Sequence, residues 1–395
     1  MKDNIVLAEK EDCTGCLACY NACIGKCIDV ICDGEGFYYP KIDVAACSKC
    51  AICENVCPII KPENERRGTG NTPDSFAVIN KNTDVILDSS SGGAFTLLAE
   101  QIIRQGGVVF GARFDEKFKV IHSYTDTLES LADFRGSKYV QSDIGGSYKE
   151  VKTFLQNGRA VLFSGTPCQI GALKSYLKDT DASLLTCVDL ICYGVPSPQI
   201  WKRYYDFAVK KEFGGQKIKK IKFRDKTKGW SGNLFSIASD NKSLFQDNRL
   251  NFFKRVFLNR LSIRLSCFDC RYKSVSRQAD ISIGDFWGVE KVFPELPADN
   301  GVSHVIIHTD KGSDLFDKIK RGAIVKKSDI NTLVRYNPFY ADSVKRPLLR
   351  DMFMRDFQQY NFYIFMKKWE LILTVIGCYR LISRRIKSIG MVLWR

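Results

Sequence analysis

The spacing Cys-x2-Cys-x2-Cys-x3-Cys occurs twice within the first 60 residues, and no other feature of the chain narrows its fold so far. The first copy is Cys13, Cys16, Cys19 and Cys23; the second is Cys47, Cys50, Cys53 and Cys57, the last followed by Pro58. Three thiols at this spacing wrap a tight loop around one face of a cubane, and the fourth ligand of each cluster comes from the other copy. The repeat therefore predicts two [4Fe-4S] clusters, one on Cys13, Cys16, Cys19 and Cys57, the other on Cys47, Cys50, Cys53 and Cys23. Soft thiolates suit zinc as well as iron, so a pair of structural zinc sites is the competing reading, although zinc sites usually pair CxxC units further apart. One departure is visible. Cys23 is followed by Ile24 where such repeats usually have proline, and two more cysteines, Cys27 and Cys32, come after it. Those two read as small packed hydrophobes rather than ligands.

Ten of the 16 cysteines fall before residue 58, which is metal spacing and not a disulfide framework. The opening MKDNIVLAEKEDC has no basic start, apolar centre or small-residue cleavage site, so a reducing cytoplasm is the expected compartment. At 395 residues, two or three domains are expected. The net charge of +15 is uneven: residues 1–60 hold five Lys/Arg against nine Asp/Glu, and residues 361–395 hold seven against one. A basic chain invites a nucleic-acid reading, but no recognised binding motif accompanies the charge and the redox segment is acidic.

The fold class read from these patterns is multidomain α+β and α/β. A two-cluster ferredoxin-like domain spans residues 1–60, and the polar, Gly- and Pro-bearing run KPENERRGTGNTPDS over 61–75 reads as a linker. From residue 76 to about 335, apolar runs such as GGVVFGARF, RAVLFSG, SLLTCVDLIC and ADISIGDFWG read as buried strands. Helical patterns such as AFTLLAEQIIRQ separate them, giving an α/β domain. Residues 336–395 read as a basic helical tail whose apolar run, Trp369 to Tyr379, is broken by Glu370 and too short to span a bilayer, which takes about 20 apolar residues. The stripe of Trp369, Leu371, Leu373, Ile376, Tyr379 and Trp394 suits either peripheral contact with the inner face of a membrane or a docking helix with a solvated basic face.

Four cysteines of the larger domain stand out. Cys168 follows a strand and a Gly-Thr-Pro turn at the start of a helical pattern, where the helix dipole favours thiolate. Cys192 follows another strand, and Cys267 and Cys270 form a CxxC ahead of the turn GDFWG. By spacing alone these are structural thiols, a zinc site or a third cubane. The strings SSSGGAF, FRGSKYVQS, FSGTPCQI, DLICYGVPSP, FRDKTKGW and the CxxC-to-GDFWG block occur in one order. Together they resemble the coenzyme F420 hydrogenase/dehydrogenase beta subunit family over roughly residues 76–335, and the preceding repeat matches that family's ferredoxin-fused form.

The resemblance implies FAD beside an iron-sulfur cluster, and it places the third [4Fe-4S] cluster on Cys168, Cys192, Cys267 and Cys270. It implies an oxidoreductase that passes electrons from ferredoxin-type clusters through the third cluster to FAD and a two-electron organic acceptor. That acceptor would be related to deazaflavin, pigment or surface-polysaccharide chemistry, and the redox partner would be a ferredoxin or a subunit of a hydrogenase or dehydrogenase. The alternative is a non-catalytic electron-transfer subunit feeding a partner enzyme. For the flavin, the loop with Ser90, Ser91, Gly92 and Gly93 opens a helical pattern and could cradle a pyrophosphate, with Arg113, Arg135 and Lys138 as countercharge. Ser137, Thr166, Lys226 and Asp285 complete the candidate cofactor contacts, each also readable as a cap, a brace or a solvated turn. Where the family pattern often has Cys-His-Gly this chain has Cys192-Tyr193-Gly194, so no proton-transfer role is carried over to that position. His122, His304 and His308 sit in no paired or triad-like setting, so no catalytic residue is assigned.

Overall fold

Continuous apolar runs place most strands where both faces are covered, and the computed structural model, which describes residues 5–62, 72–232, 234–245 and 251–393, gathers them into three sheets. The amino-terminal repeat holds the ladder of β1 (Ile28–Cys32) and β2 (Tyr38–Ile42), with short helices Ala18–Ala22 and Ile52–Asn55. The main sheet is built from β3 (Asp74–Asn80), β4 (Val108–Phe114), β5 (Val120–Thr125), β6 (Val161–Gly165) and β7 (Leu185–Leu190). A satellite sheet of β8 (Ile218–Asp225), β9 (Leu234–Ser239) and β10 (Ser243–Phe245) intervenes, and β11 (Ile281–Asp285), β12 (Ser303–Ile307) and β13 (Ala323–Ser328) complete the main one. This is a mixed α/β architecture.

The order of the eight-stranded sheet is β13-β3-β12-β11-β7-β6-β4-β5. Its centre, β4, β6, β7 and β11, is parallel, and the remaining pairs are antiparallel. Parallel strands are buried on both faces, which is why VLFSG is buried at all its positions and reads without alternation. The edge strand β13 buries only Ala323 fully and exposes Lys326 and Lys327, which blunts edge-to-edge pairing. The carboxyl ends of β6, β7 and β11 leave the sheet on one side, where open α/β sheets bind ligands.

The linker is shorter than expected, and of the two readings of the tail, residues 350–373 take that of a docked helix pair. Asp74 and Ser75 of the expected 61–75 linker already belong to β3, and residues 63–71 lie outside the described residues. The tail is part of the body. Helix Arg350–Gln359 and the start of helix Phe362–Leu393 pack Phe353, Phe365, Trp369 and Leu373 against Trp201, Phe252 and Phe253 in one aromatic cluster. Trp369 is fully buried and its indole N–H donates to Asp356 Oδ2 at 2.9 Å. Leu371 and Tyr379 are exposed, and Trp394 lies outside the described residues. Among the described residues no helix is long and apolar enough to cross a membrane.

Buried arginines lock the repeat onto the sheet. Arg350 reaches Glu35 with both terminal nitrogens, at 3.1 and 2.6 Å, and donates from Nε to Ile263 O. Arg264 donates to Cys13 O at 2.7 Å and to Tyr38 O and Gln141 Oε1, while its guanidinium lies 4.0 Å from the Tyr39 ring centre.

Candidate metal and cofactor site

The two copies of the repeat share a backbone signature. Gly15 and Lys49 are both left-handed (φ 66 and 58), as are Leu17 and Ala51 (φ 59 and 59), so equivalent positions twist the same way in each copy. For three of the four a Cβ makes that conformation costly, on the order of 1 kcal/mol per residue, and it persists only where surroundings impose it. Alternating hands turn successive N–H groups into one concavity, the nest geometry found around phosphates and iron-sulfur clusters. This fits the donor set expected of [4Fe-4S] clusters.

The thiols face those concavities in two sets. Burial pushes Cys16 up to about 11, with repulsion from Cys13 and Cys57 adding to it, and burial lifts Cys19 further alongside the same partners. Cys13, Cys16, Cys19 and Cys57 therefore form one electrostatic set, drawn from both copies. Cys53 interacts with Cys23 and Cys50, and Cys27 with Cys23 and Cys47, which gives the second set. Among the described residues no group of three or more His, Cys, Asp or Glu side chains is gathered tightly enough to hold a metal ion. The gathering is looser, at the range where thiolates repel one another.

A third set forms where the parallel strands end. Thr166 caps the helix Pro167–Tyr176 in a capping box with Gln169, and its hydroxyl lies 3.1 Å from Cys168 Sγ. Pro196 bridges Ile263, and Arg264 N–H donates to Val195 O, so the chain after Cys192 is pinned to the chain before Cys267. Gly194 makes the turn between them at φ 121, and a Cβ there would stand 2.8 Å from Ile263 Cγ2. The Cys270 N–H donates to Ser343 Oγ. A helix start by itself favours thiolate at Cys168, but burial outweighs it. Cys168 is raised well above its ordinary value, with repulsion from Cys270, Cys192 and Cys267 acting in the same direction. Burial likewise lifts Cys267 to about 12 and raises Cys270, with Cys192 as the next cause for both. Four thiols so placed hold charge only against a compensating cation, and Lys273, whose ammonium donates to Cys192 O, supplies part of it.

Beside this quartet lies a cavity of about 420 Å³ whose wall includes Cys192 and Thr166. Its lining combines the Ser-Gly loop, Arg135, Ser137 and Lys138 with the aromatic rings of Tyr139, Tyr193, Phe257, Phe339 and Trp287. Ser90 Oγ accepts from Ser137 N–H at 2.7 Å, joining two of the expected loops. Arg224 pairs with Asp285 at 2.8 Å and lies 5.0 Å from the Trp287 ring centre. Arg135 Nε and Asp285 Oδ1 are buried without a hydrogen-bond partner, one donor and one acceptor on residues that both line the cavity. Unpartnered buried polar atoms are costly, so they suit a polar heterocyclic ligand such as a flavin.

Of the expected cofactor contacts, Ser90, Ser91, Gly93, Arg135, Ser137, Lys138, Thr166 and Asp285 line the cavity. Gly92, Arg113 and Lys226 do not. A Cβ on Gly92 would meet Val78 O at 2.3 Å, so its role is to let the loop lie on the sheet. Arg113 turns across the ladder to donate to Ser123 Oγ at 2.6 Å. Lys226 is buried behind the loop, donating to Ile86 O and Ser91 O at 2.7 and 2.6 Å, and burial brings it down to about 7. It braces the Ser-Gly loop from beneath.

Sequence reasoning passes over Arg224 and Trp287, although both stand inside quoted blocks, and it passes over His122. His122 lines the cavity, and its Nε2 must donate to the Ser164 carbonyl at 2.9 Å. Its Nδ1, at 2.9 Å from Ser142 Oγ, is then the acceptor. Tyr148, fully buried, feels both Cys16 and Cys168 and so stands between the first set and the third.

A family model for the carboxyl-terminal part of the beta subunit of coenzyme F420 hydrogenase/dehydrogenase matches residues 158–332. That stretch contains Cys168, Cys192, Cys267 and Cys270 but neither the Ser-Gly loop nor the amino-terminal repeat. No curated protein matches the chain. Among solved structures, the F420-reducing [NiFe] hydrogenase complex from Methanosarcina barkeri aligns with a TM-score of 0.48 at 18% identity, covering 69% of this chain and 90% of that chain. A likeness of that degree carries no argument about function.

Proposed function

We propose that the chain is an iron-sulfur flavoprotein oxidoreductase. Two [4Fe-4S] clusters in the amino-terminal repeat would pass electrons by way of a third, on Cys168, Cys192, Cys267 and Cys270, to FAD in the cavity and on to a two-electron organic acceptor. The observation that carries this reading is Cys192, which lines the cavity and interacts with Cys168, Cys267 and Cys270 from two other segments. The match of residues 158–332 to a hydrogenase/dehydrogenase beta-subunit model supports it.

Bound FAD would supply the pairing of single electrons into a two-electron reduction. The chain's own residues do the rest. Arg135 offers positive charge beside the Ser90–Ser137 contact, while Lys138, which burial brings down to about 7, turns its Nζ to Asp133 O and Arg135 O; Lys226 stiffens the Ser-Gly loop, and Asp285 presents a free acceptor. Tyr139, Tyr193, Phe257 and Phe339 exclude water from the face beside Cys192. His122, lowered to about 4 by burial, stays neutral and serves as a fixed hydrogen-bonding residue, not as a proton donor.

Anaerobic purification with iron, sulfide and flavin quantification tests the reading. About twelve irons and one FAD per chain are expected; eight irons would remove the third cluster, and zinc without a bleachable visible absorption would remove the whole proposal. Asp285→Ala is expected to keep the iron content of the parent while losing flavin on gel filtration. Turnover of an organic acceptor with dithionite as donor separates an enzyme from a subunit that only feeds a partner.

A further inference from the structure

The second thiol nest holds one more sulfur than a cubane needs. A small cavity between the halves of the repeat is lined by Cys23, Cys27, Cys47, Cys50 and Cys53. Cys27 Sγ stands 3.4 Å from Cys23 Sγ, and the Cys27 thiol also meets that of Cys47. The first nest has no counterpart, because four residues beyond Cys57 the chain has Lys61 where the other copy has Cys27.

The missing proline explains how the extra thiol arrives. After Cys57, Pro58 restricts the backbone of the chain leaving the cluster. After Cys23, Ile24 points outward at 79% exposure and a turn closes with Lys26 N–H donating to Cys23 O at 3.3 Å. Lys26 adopts a left-handed conformation at φ 49, which reverses the chain and returns Cys27 to the nest. Asp43 N–H then holds Cys27 O at 2.8 Å, so the residue is buried and anchored at the start of β1.

We propose that Cys27 is a ligand-competent fifth thiol of the second cluster, able to replace Cys23 as its fourth ligand. This rests on the two-cluster reading of the repeat. In the exchange the Cys27 sulfur-iron bond forms as the Cys23 sulfur-iron bond breaks, and the thiol proton of Cys27 passes to Cys23. No electron moves, and the two sulfurs are already in contact.

The full chain, prepared anaerobically, is assayed for iron, acid-labile sulfide and reduced-state EPR in Cys23→Ala, Cys27→Ala and the double variant. Each single variant is expected to keep the parental iron content and cluster signals, and the double variant to lose about four irons. Loss of four irons, or a three-iron cluster, in Cys23→Ala alone overturns the proposal, as does a double variant that keeps its iron. Cys23→Ser guards against a folding failure: all-sulfur ligation by X-ray absorption supports the exchange, and an oxygen ligand overturns it. Zinc in the parent protein would instead sink the cluster reading itself, before any variant is made.

Discussion

Arg264→Met is expected to destabilise the chain by about 3 kcal/mol or more and, on the proposed two-cluster reading, to lower the midpoint potential of the cluster beside it, on the order of 60 mV for each 1.4 kcal/mol of lost charge stabilisation. Arg264 is fully buried, and its hydrogen bonds go to Cys13 O, Tyr38 O and Gln141 Oε1, none of them a carboxylate. Methionine keeps much of the apolar stem but strands those acceptors, and each buried group left unpaired costs about 1–3 kcal/mol. A buried guanidinium also needs an anion, and Cys13 Sγ lies 3.9 Å from Nη2. Cys267 of the third set feels the same charge. On the proposed reading Arg264 therefore holds the first nest against the third set and favours the reduced, more negative state of what is bound there. Arg264→Lys separates the two roles: a lysine keeps the charge but not the planar fork, so the potential should stay near that of the parent while the thermal midpoint still falls. Equal potentials in all three proteins would show that Arg264 acts as a structural clamp alone.

Local spacing made the equivalence of the two cysteine runs legible, because the residues between the thiols take the same left-handed twist in each copy. The parallel strands were legible for a similar reason: burial on both faces writes itself as an unbroken apolar run. What escaped was long-range. Arg264 meets Cys13 across 251 residues and Arg350 meets Glu35 across 315, and no window of sequence contains both partners. Arg113 was expected to face an anion, but a neighbouring strand offered Ser123 first. At Cys168 the helix start was legible while the burial that overrides it was not, since burial depends on what the rest of the chain brings alongside. The charges could not choose between the two readings of the tail, because the cluster that takes up Trp369 and Phe353 is completed by Trp201, Phe252 and Phe253, at least 100 residues earlier in the chain.

The three imidazoles are expected to stay silent in an NMR titration of the folded chain from pH 8 to pH 5 while making the fold acid-labile over the same range. Burial is the first cause at each. It lowers His122 to about 4 and His304 to about 3, and it lowers His308 to about 3 with help from Arg277 and Lys174. His304 lies between Ser75 Oγ at 2.6 Å and the stacked Phe286 ring at 3.9 Å, so no room is left to solvate a charge. In the unfolded chain each group titrates near 6.5. A folded pKa below the unfolded one means that the unfolded state binds more protons as the solution turns acid. The stabilisation is thus complete above about pH 6.5 and is lost as the pH falls toward 4 for His122 and 3 for His304. The full loss is about 3 kcal/mol for His122 and about 5 kcal/mol for His304, at 1.4 kcal/mol per unit. His308 is only partly enclosed and adds less. Unfolding at pH 5 should accordingly take up about two to three protons, measurable from the pH dependence of the denaturant midpoint. A His122 resonance that moves with a midpoint near 6.5 in the folded protein would mean that the imidazole reaches solvent, and that the cavity wall beside Ser142 and Ser164 is open to water.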